Sequence, residues 1–342
     1  MEETRPGFGQ RLRDNWLELL LLLIFVAALV WIATTARGVW QSVAAVPTET
    51  PTALPTATAV QPAGTQPDQP LIQPVRDTFD GQQAARLAAN LVDAGPRVFG
   101  SDGHTEAVGL LIDELRRNAW GLQQQAFTVD EAQHTNIIAR SGSGDIVVIA
   151  THYDTSPVSD LDPDEANRAT PSPGANDGAS GPAVLLELAR SLDKGQLNGQ
   201  VWLAFLDGRY APTAPDGAVQ IADSGANALA EALPETVKAV IWVDLAGGQD
   251  QRFTIVPNGD PQVAADLWAV AEQLGYARWF VQEAGATADS SVQVFSDHGQ
   301  AATAIADPDY TYLRTTSDTP DKLSSGSLEQ VGRVLEVYLE QQ

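Results

Sequence analysis

Four short, predominantly apolar runs constrain the fold of this chain most strongly. They are Ile146 to Ala150, Val201 to Leu206, Ala239 to Val243 and Ala302 to Ala306. Runs of this length and composition are typical of strands that are buried on both faces of a sheet. The pattern predicts an α/β fold, a three-layer sandwich in which helices cover both faces of a mostly parallel central sheet.

The segments between these runs have apolar residues at helical spacing. They predict helices over residues 81–92, 105–117, 181–192, 261–274 and 327–340. Strands and helices alternate up to the C-terminus without a second linker or an internal repeat. We therefore expect one α/β domain over residues 77–342.

Polar side chains follow three of the apolar runs, at the point where each predicted strand ends. His152 and Asp154 follow the first run, Asp207 follows the second and Asp244 follows the third. Open α/β sheets have their binding sites at the carboxyl ends of the strands. The sequence therefore predicts a functional site at this edge of the sheet.

The N-terminal segment contains a different signal, an uninterrupted apolar run from Leu19 to Ala33 with tryptophans close to both ends. About 18 to 20 such residues cross a membrane as a helix, and tryptophan favours the two interfaces. Arg5, Arg11 and Arg13 precede the run, which predicts a cytoplasmic N-terminus. A cleaved signal peptide is the alternative interpretation.

These signals divide the chain into four parts. We expect a cytoplasmic N-terminus over 1–15, a transmembrane anchor over 16–36, a disordered stalk over 37–76 and the α/β domain over 77–342. The stalk prediction rests on a stretch rich in Pro, Thr and Ala, which cannot bury enough apolar surface to fold. The chain is then a single-pass membrane protein with an extracytoplasmic domain, an arrangement that suits a bacterial envelope.

Composition excludes two classes of function. The formal net charge is -24, from 44 acidic and 20 basic residues, and proteins that bind nucleic acid need clustered Lys and Arg. The sequence contains no cysteine, so a thiolate zinc site and a cysteine nucleophile are excluded as well. Nucleic acid is therefore not an expected partner, whereas the membrane is expected as one through the apolar N-terminal run.

Six short motifs occur in a fixed order within the α/β domain. They are His152-Tyr153-Asp154, Pro173 to Gly181, Phe205 to Gly208, Val243 to Leu245, Ser296-Asp297-His298 and Thr315 to Thr319, preceded by Gly95-Pro96-Arg97. In this order they resemble the motifs of the zinc aminopeptidase family that includes the glutaminyl cyclases. The resemblance covers residues 77–342 and implies the same α/β fold.

The resemblance also implies a metal site. Members of this family hold two zinc ions through a bridging aspartate, and a glutamate moves the proton of a zinc-bound water. Matched by position, His152, Asp177 and Asp244 correspond to the first zinc site. Asp154 corresponds to the group that orients the imidazole, and Asp297 is a further candidate for a supporting carboxylate.

The chain departs from the family pattern at the second zinc site. Arg209 stands where the family has its glutamate base, Tyr210 replaces a glutamate ligand, and Arg314 replaces a histidine ligand. These substitutions imply at most one zinc ion, or none, and leave no residue that we assign as the catalytic base. Our hypothesis is that Arg209 and Arg314 replace the lost cation beside Asp177, Asp244 and Asp297.

The sequence is compatible with two classes of function. The first is a pseudoenzyme that binds a peptide or protein, as transferrin receptor and nicastrin resemble these peptidases and do not cleave. The second is a zinc-dependent aminopeptidase that uses one metal and takes Asp207 or Asp297 as its base. We interpret His104 and His134 as surface histidines or as histidines with structural hydrogen bonds, and not as metal ligands.

Overall fold

The computed structural model describes residues 78–211 and 218–341. The predicted N-terminal segment, anchor and stalk lie outside these residues, so the structure does not bear on them. Within the described part of the chain, no helix is both long and apolar enough to cross a membrane.

Six strands form the central sheet, in the order β1-β2-β4-β3-β5-β8. Their bounds are β1 (Gly121–Val129), β2 (Ala132–Gly142), β3 (Ile146–His152), β4 (Gln200–Leu206), β5 (Val237–Val243) and β8 (Ala302–Ile305). Strands β3, β4, β5 and β8 are parallel, whereas β2 pairs antiparallel with β1 and β4. The prediction of a mostly parallel sheet is confirmed, and the four apolar runs form its four parallel strands.

Seven α-helices accompany the strands in the described residues. They are α1 (Gly81–Asp93), α2 (Asp102–Arg117), α3 (Ser180–Ser191), α4 (Ser224–Ala232), α5 (Pro261–Gln273), α6 (Ser290–Asp297) and α7 (Ser325–Gln341). The five predicted helices are present with ends shifted by three residues or fewer, and α4 and α6 are additional. A small parallel pair, β6 (Phe253–Ile255) and β7 (Phe280–Ala284), lies apart from the central sheet.

Alternate side chains of the strands point to opposite faces of the sheet and create two cores. In β3, Val147 and Ile149 belong to the core that includes residues of α1, α2, α3, α5 and α7. Val148 and Ala150, from the same strand, belong to the core on the side of α4 and α6. The sheet is therefore covered on both faces, which makes the predicted three-layer sandwich.

Candidate functional site

Three elements bring a histidine and two carboxylates together at the carboxyl edge of the sheet. His152 ends β3, Asp244 directly follows β5, and Asp177 lies in the loop before α3. The Nε2 atom of His152 lies 3.3 Å from Asp244 Oδ1 and 3.4 Å from Asp177 Oδ1. All three residues are buried, and we call them the metal triad because their ligand atoms lie within 4.8 Å of one another.

The donor set and spacing of the metal triad fit one zinc ion. Tetrahedral zinc with Zn–N and Zn–O bonds of about 2.0–2.2 Å holds neighbouring ligand atoms roughly 3.3 Å apart. The two measured separations from His152 Nε2, 3.3 and 3.4 Å, agree with this value. His152, Asp177 and Asp244 would therefore hold the ion.

Asp154 orients the imidazole of His152. The Nδ1 atom of His152 lies 3.0 Å from the backbone carbonyl oxygen of Asp154 and 3.4 Å from its Oδ1 atom. An Nδ1–H that donates to this residue leaves Nε2 directed at Asp177 and Asp244, as metal-binding imidazoles require. The other carboxylate oxygen of Asp154 accepts a hydrogen bond from the Tyr210 backbone N–H at 3.0 Å.

A buried arginine holds the loops that present the metal triad. Arg97 has no solvent exposure, and its guanidinium donates to the carbonyl oxygens of Tyr153, Pro173 and Gly174. Burial lowers the pKa of Arg97 to about 10 despite the nearby charge of Asp318, so the group is still a cation at neutral pH. The segment that opens the domain therefore fixes the loops after β3 and before α3.

The close approach of α3 to the sheet also positions Asp177. A Cβ atom at Gly181 would lie 2.1 Å from Thr151 Oγ1 and 2.7 Å from the carbonyl oxygen of Val243. Only glycine fits here without a shift of the helix or of the two strands that carry His152 and Asp244.

We expect the substitution Gly181→Ala to lower the free energy of unfolding by about 2–3 kcal/mol, because the added methyl overpacks this contact. Chemical denaturation measures the change. Gly109→Ala in α2 is the matched control, since nothing lies within 4 Å of its Cβ position. The control should be neutral or stabilise by up to about 1 kcal/mol, and an equal loss in both variants would contradict the close approach.

His152 carries a proton when no metal neutralises the two carboxylates. Burial alone would lower the pKa of His152, but the charge of Asp244 and the hydrogen bonds with Asp154 and Asp177 outweigh it and raise the pKa well above its ordinary value. A zinc ion must displace this proton to bind Nε2.

Zinc affinity should therefore rise with pH throughout the range below the raised pKa of His152, by about tenfold per pH unit for one displaced proton. Titration calorimetry in buffers of different ionisation enthalpy measures the number of protons released. An affinity that is independent of pH between 6 and 8 would contradict the assignment of His152 as a ligand.

Tyr210 and Arg209 contact the remaining carboxylate oxygens of the metal triad. The Tyr210 hydroxyl donates to Asp177 Oδ2 at 2.5 Å, and the Arg209 Nη2 atom lies 3.4 Å from Asp244 Oδ2. The oxygens that face away from His152 are thus bound by a phenol and a guanidinium. Burial and the charge of Asp177 raise the pKa of Tyr210 well above its ordinary value, so the phenol stays a donor. The residues present do not fit a second zinc ion.

Arg209 has further partners that the sequence did not reveal. Its Nη1 atom lies 2.8 Å from Asp223 Oδ1 and 2.8 Å from Ser291 Oγ, and both partners are buried. Ser290 and Ser291 also donate to the Asp223 carboxylate. Burial would lower the pKa of Arg209, but the charges of Asp223 and Asp244 outweigh it and raise the pKa. Arg209 is therefore a fixed cation between two carboxylates.

Two residues named from the sequence lie elsewhere, and both expectations are corrected. The Arg314 Nε atom lies 3.1 Å from Asp160 Oδ1, so the guanidinium pairs there and does not replace a cation beside the triad. Asp297 is exposed at the end of α6, where its carboxylate accepts a hydrogen bond from Gln293. Ser291, near the start of α6, contacts Arg209, whereas Asp297 at the end of this helix is exposed to solvent.

Asp207 forms a separate cluster with two histidines. Its Oδ1 lies 2.9 Å from His104 Nε2 and its Oδ2 lies 3.0 Å from His134 Nδ1, and all three residues are buried. Burial opposes ionisation of Asp207, but its hydrogen bond with His104 and the charges of both histidines lower its pKa. Asp207 is thus occupied by structural contacts, which argues against a role as the base.

We expect Asp207→Asn to lower the free energy of unfolding at neutral pH by about 2–4 kcal/mol, because it leaves buried imidazoles without their carboxylate. Because folding lowers the pKa of Asp207, its ionised carboxylate stabilises the fold at pH values above its ordinary pKa of 3.8. This contribution to stability is lost as the pH falls through the folded-state pKa. The difference between the two proteins should therefore be constant above about pH 5 and shrink in acid. Urea denaturation from pH 3 to pH 7 measures it, and unchanged zinc binding is the control.

The structure is similar to those of known zinc exopeptidases, and the sequence matches one peptidase family. The structure is similar to a Zn-dependent exopeptidase from Parabacteroides distasonis, with a TM-score of 0.70 and 26% identity over 77% of this chain and 98% of that one. It is also similar to glutaminyl cyclase from Porphyromonas gingivalis, with a TM-score of 0.71 and 26% identity over 78% of this chain and 99% of that one. The domain therefore has a zinc-exopeptidase-like fold.

The family model described as Peptidase family M28 matches residues 136–339, which is more than half of the chain. The chain belongs to peptidase family M28, a zinc-dependent family. A probable zinc metalloprotease of Pyrenophora tritici-repentis is 32% identical over 154 residues, which are 41% of this chain and 29% of the relative. The chain thus matches less than a third of that curated relative.

Proposed function

We propose that this chain is a catalytically degenerate M28 domain that binds a peptide or protein ligand. The observation that supports the proposal is that the Arg209 guanidinium and the Tyr210 hydroxyl contact Asp244 Oδ2 and Asp177 Oδ2. Arg209 lies 3.4 Å from Asp244 Oδ2 where the family pattern has a glutamate base, and a guanidinium cannot accept a proton at neutral pH.

The expected loss of rate is large. A positioned general base contributes typically about 10² to 10⁴-fold, and a second metal that stabilises developing charge contributes several kcal/mol more. Asp154, the nearest remaining carboxylate in the loop after β3, already accepts from the Tyr210 backbone N–H. We therefore propose that hydrolysis is too slow to be the function of this domain.

We further propose that one zinc ion binds to His152, Asp177 and Asp244. When bound, the ion would supply Lewis-acid chemistry or hold a ligand carbonyl. The chain's own residues restrict that chemistry, because Tyr210 fixes one oxygen of Asp177 and Arg209 places a positive charge beside Asp244. Both contacts weaken the carboxylates as metal ligands.

A one-metal hydrolase is the second candidate function, and the spacing of the metal triad favours it. The separations of 3.3 and 3.4 Å from His152 Nε2 suit a bound zinc ion without rearrangement. Such an enzyme would need a base other than Asp207, whose two oxygens face His104 and His134.

Turnover of leucine p-nitroanilide and of glutaminyl-β-naphthylamide by the full-length chain with zinc distinguishes the two candidates. The pseudoenzyme proposal expects the same rate for the natural chain and for His152→Ala. A rate that exceeds the His152→Ala background and disappears with a chelator would overturn it in favour of the one-metal hydrolase.

We also propose that residues 16–36 anchor the chain in a membrane with the M28 domain on the extracytoplasmic side. The apolar run from Leu19 to Ala33 and the arginines before it support this proposal. Carbonate extraction of bacterial membranes that contain the full-length chain should leave it in the pellet. Release into the supernatant would contradict the anchor and favour a cleaved signal peptide.

A further inference from the structure

The edge strand β1 has a row of backbone groups without hydrogen-bond partners. A two-residue loop, Asp130-Glu131, joins it to β2, and both loop residues have positive φ, 47° and 67°. In a hairpin with such a loop, Val129 and Ala132 exchange hydrogen bonds, and every second residue of β1 then bonds to β2. The backbone groups of the other residues point away from β2, and no described residue bonds to them: Leu122, Gln124, Ala126 and Thr128.

We propose that β1 pairs antiparallel with β1 of a second copy of this chain, which joins two six-stranded sheets into one. The strand lacks the features that usually protect an exposed edge, which are charged residues, proline, a bulge or a short length. It has nine residues, none of them charged or proline, although the chain has a formal net charge of -24. Its register with β2 is continuous over all nine residues. β1 is therefore a long and regular edge that brings no like charges together when it pairs with itself.

The opposite edge of the sheet is protected. β8 has only four residues, and the carbonyl oxygen of Ala302 accepts a hydrogen bond from the backbone N–H of Asp260. A new strand could not pair along β8 without displacing the segment that leads into α5. The two edges of the sheet are thus different, and β1 is the one that can take a further strand.

One register uses all the outward residues of both strands. With Gln125 opposite Gln125 of the second copy, Leu122 lies opposite Thr128 and Gln124 lies opposite Ala126 in each half. Each of these pairs exchanges two hydrogen bonds, which gives roughly eight in all. Any other centre leaves at least one outward residue of each strand unpaired, because the four outward residues are symmetric about Gln125 alone.

The charges at the two ends of β1 favour the antiparallel direction. Asp130 and Glu131 follow the strand and are exposed, and Arg116 at the end of α2 precedes it and is also exposed. Arg116 has no ion-pair partner in the described part of the chain, whereas the neighbouring Arg117 contacts Glu114 of the same helix. Antiparallel pairing brings the acidic loop of one copy towards Arg116 of the other. Parallel pairing would place the two acidic loops side by side, which is unfavourable.

This inference does not rest on the proposed function, because β1 contains no residue of the metal triad. Zinc binding and turnover can fail or succeed without affecting the pairing. Neither a chelator nor His152→Ala should change the fraction of dimer, so a failure of one proposal is seen separately from a failure of the other.

Cysteine cross-linking tests the register, since the natural chain contains no cysteine. We expect Gln125→Cys to form a disulfide-linked dimer in membranes that contain the full-length chain, because opposing residues without mutual hydrogen bonds have Cα atoms about 4.5 Å apart. Thr128→Cys is the control, since Thr128 is exposed and in the proposed register lies roughly 20 Å from its equivalent. Gln125→Cys should give at least about fivefold more dimer after oxidation. A yield no higher than that of Thr128→Cys would overturn the proposal.

Sedimentation velocity of the solubilised full-length chain is an independent measurement, because Gln125→Cys also removes the hydrogen bond to the carbonyl oxygen of Ala228. We expect the natural chain to be a dimer at about 50 µM, as for an interface of small area. Gln124→Pro removes an outward N–H and should raise the dimer Kd at least about tenfold, whereas Gln124→Thr, which keeps the N–H, should not. Circular dichroism verifies that each variant is folded. A monomeric natural chain, or an unchanged dimer in Gln124→Pro, would overturn the proposal, and should Gln124→Pro unfold the chain, the cross-linking yields decide.

Discussion

Arg209→Met should lower the free energy of unfolding of the zinc-free chain by about 3–5 kcal/mol. Arg209 is the cation that Asp223 and Asp244 share, at 2.8 and 3.4 Å, and its removal leaves the buried Asp223 without a positive partner and Asp244 with only the protonated His152. Methionine preserves most of the side-chain volume, so the change reports charge more than packing. Urea denaturation after chelator treatment measures it.

The same substitution should have the opposite effect on metal binding. A guanidinium 3.4 Å from a ligand oxygen opposes a zinc cation, so its removal should raise zinc affinity by about 100-fold. Arg314→Met is the control, because Arg314 pairs with the partly exposed Asp160 and such pairs contribute about 0–1 kcal/mol. A stable Arg209→Met variant with unchanged zinc affinity would show that Arg209 is not the substitute cation.

His152→Ala should lower zinc affinity by at least about 10³-fold, since it removes the one nitrogen donor of the metal triad. The Nε2 atom of His152 also contacts both Asp177 and Asp244, at 3.4 and 3.3 Å. Competition with a chromogenic chelator measures the affinity.

His134→Ala is the matched control for that experiment. His134 is equally buried and also faces a carboxylate, Asp207, but it lies in another cluster. Its removal should reduce stability and leave zinc affinity within about twofold. An equal loss of zinc binding in both variants would mean that the metal site is misassigned.

The parallel part of the fold could be predicted because its strands are buried on both faces. β3 is buried at all seven positions, and such a run has one interpretation in an alternating α/β pattern. β1 was not predicted, because it contains Gln123, Gln124 and Gln125 and is largely exposed at the edge of the sheet. α4 was also not predicted. It begins after Asp223, whose backbone conformation is left-handed, and no pattern in the sequence indicates the start of a helix there.

The candidate site could be predicted from the residues alone only where they follow strands. His152 and Asp244 come together because parallel strands end at one edge, whereas Asp177 lies in the loop before α3 and was identified by the resemblance. Asp297 was misplaced because a match to a short Ser-Asp-His motif does not determine where the carboxylate lies, and in the structure it is exposed at the end of α6. Asp223 and Ser291 are distant in sequence from Arg209, and only the folded chain brings them into contact with it.

The position of Arg314 shows a further limit of prediction from a resemblance. Arg209 replaces the family's glutamate base and Arg314 replaces a histidine ligand, yet Arg209 is directed at Asp244 and Arg314 at Asp160. Arg314 has a left-handed backbone with a φ of 49°. The spacing of a motif does not indicate where a side chain points. The loss of a family residue from the sequence therefore does not show which group takes its place in the folded chain.

The zinc content of the purified full-length chain, after equilibration with zinc and removal of loosely held metal, tests the central claim most directly. The claim is that Arg209 and Tyr210 close the second metal position and leave at most the metal triad. The account predicts no more than one zinc ion per chain, and that ion should be absent from His152→Ala. Two zinc ions per chain would contradict it, because the second ion would have to displace both the Tyr210 hydroxyl and the Arg209 guanidinium.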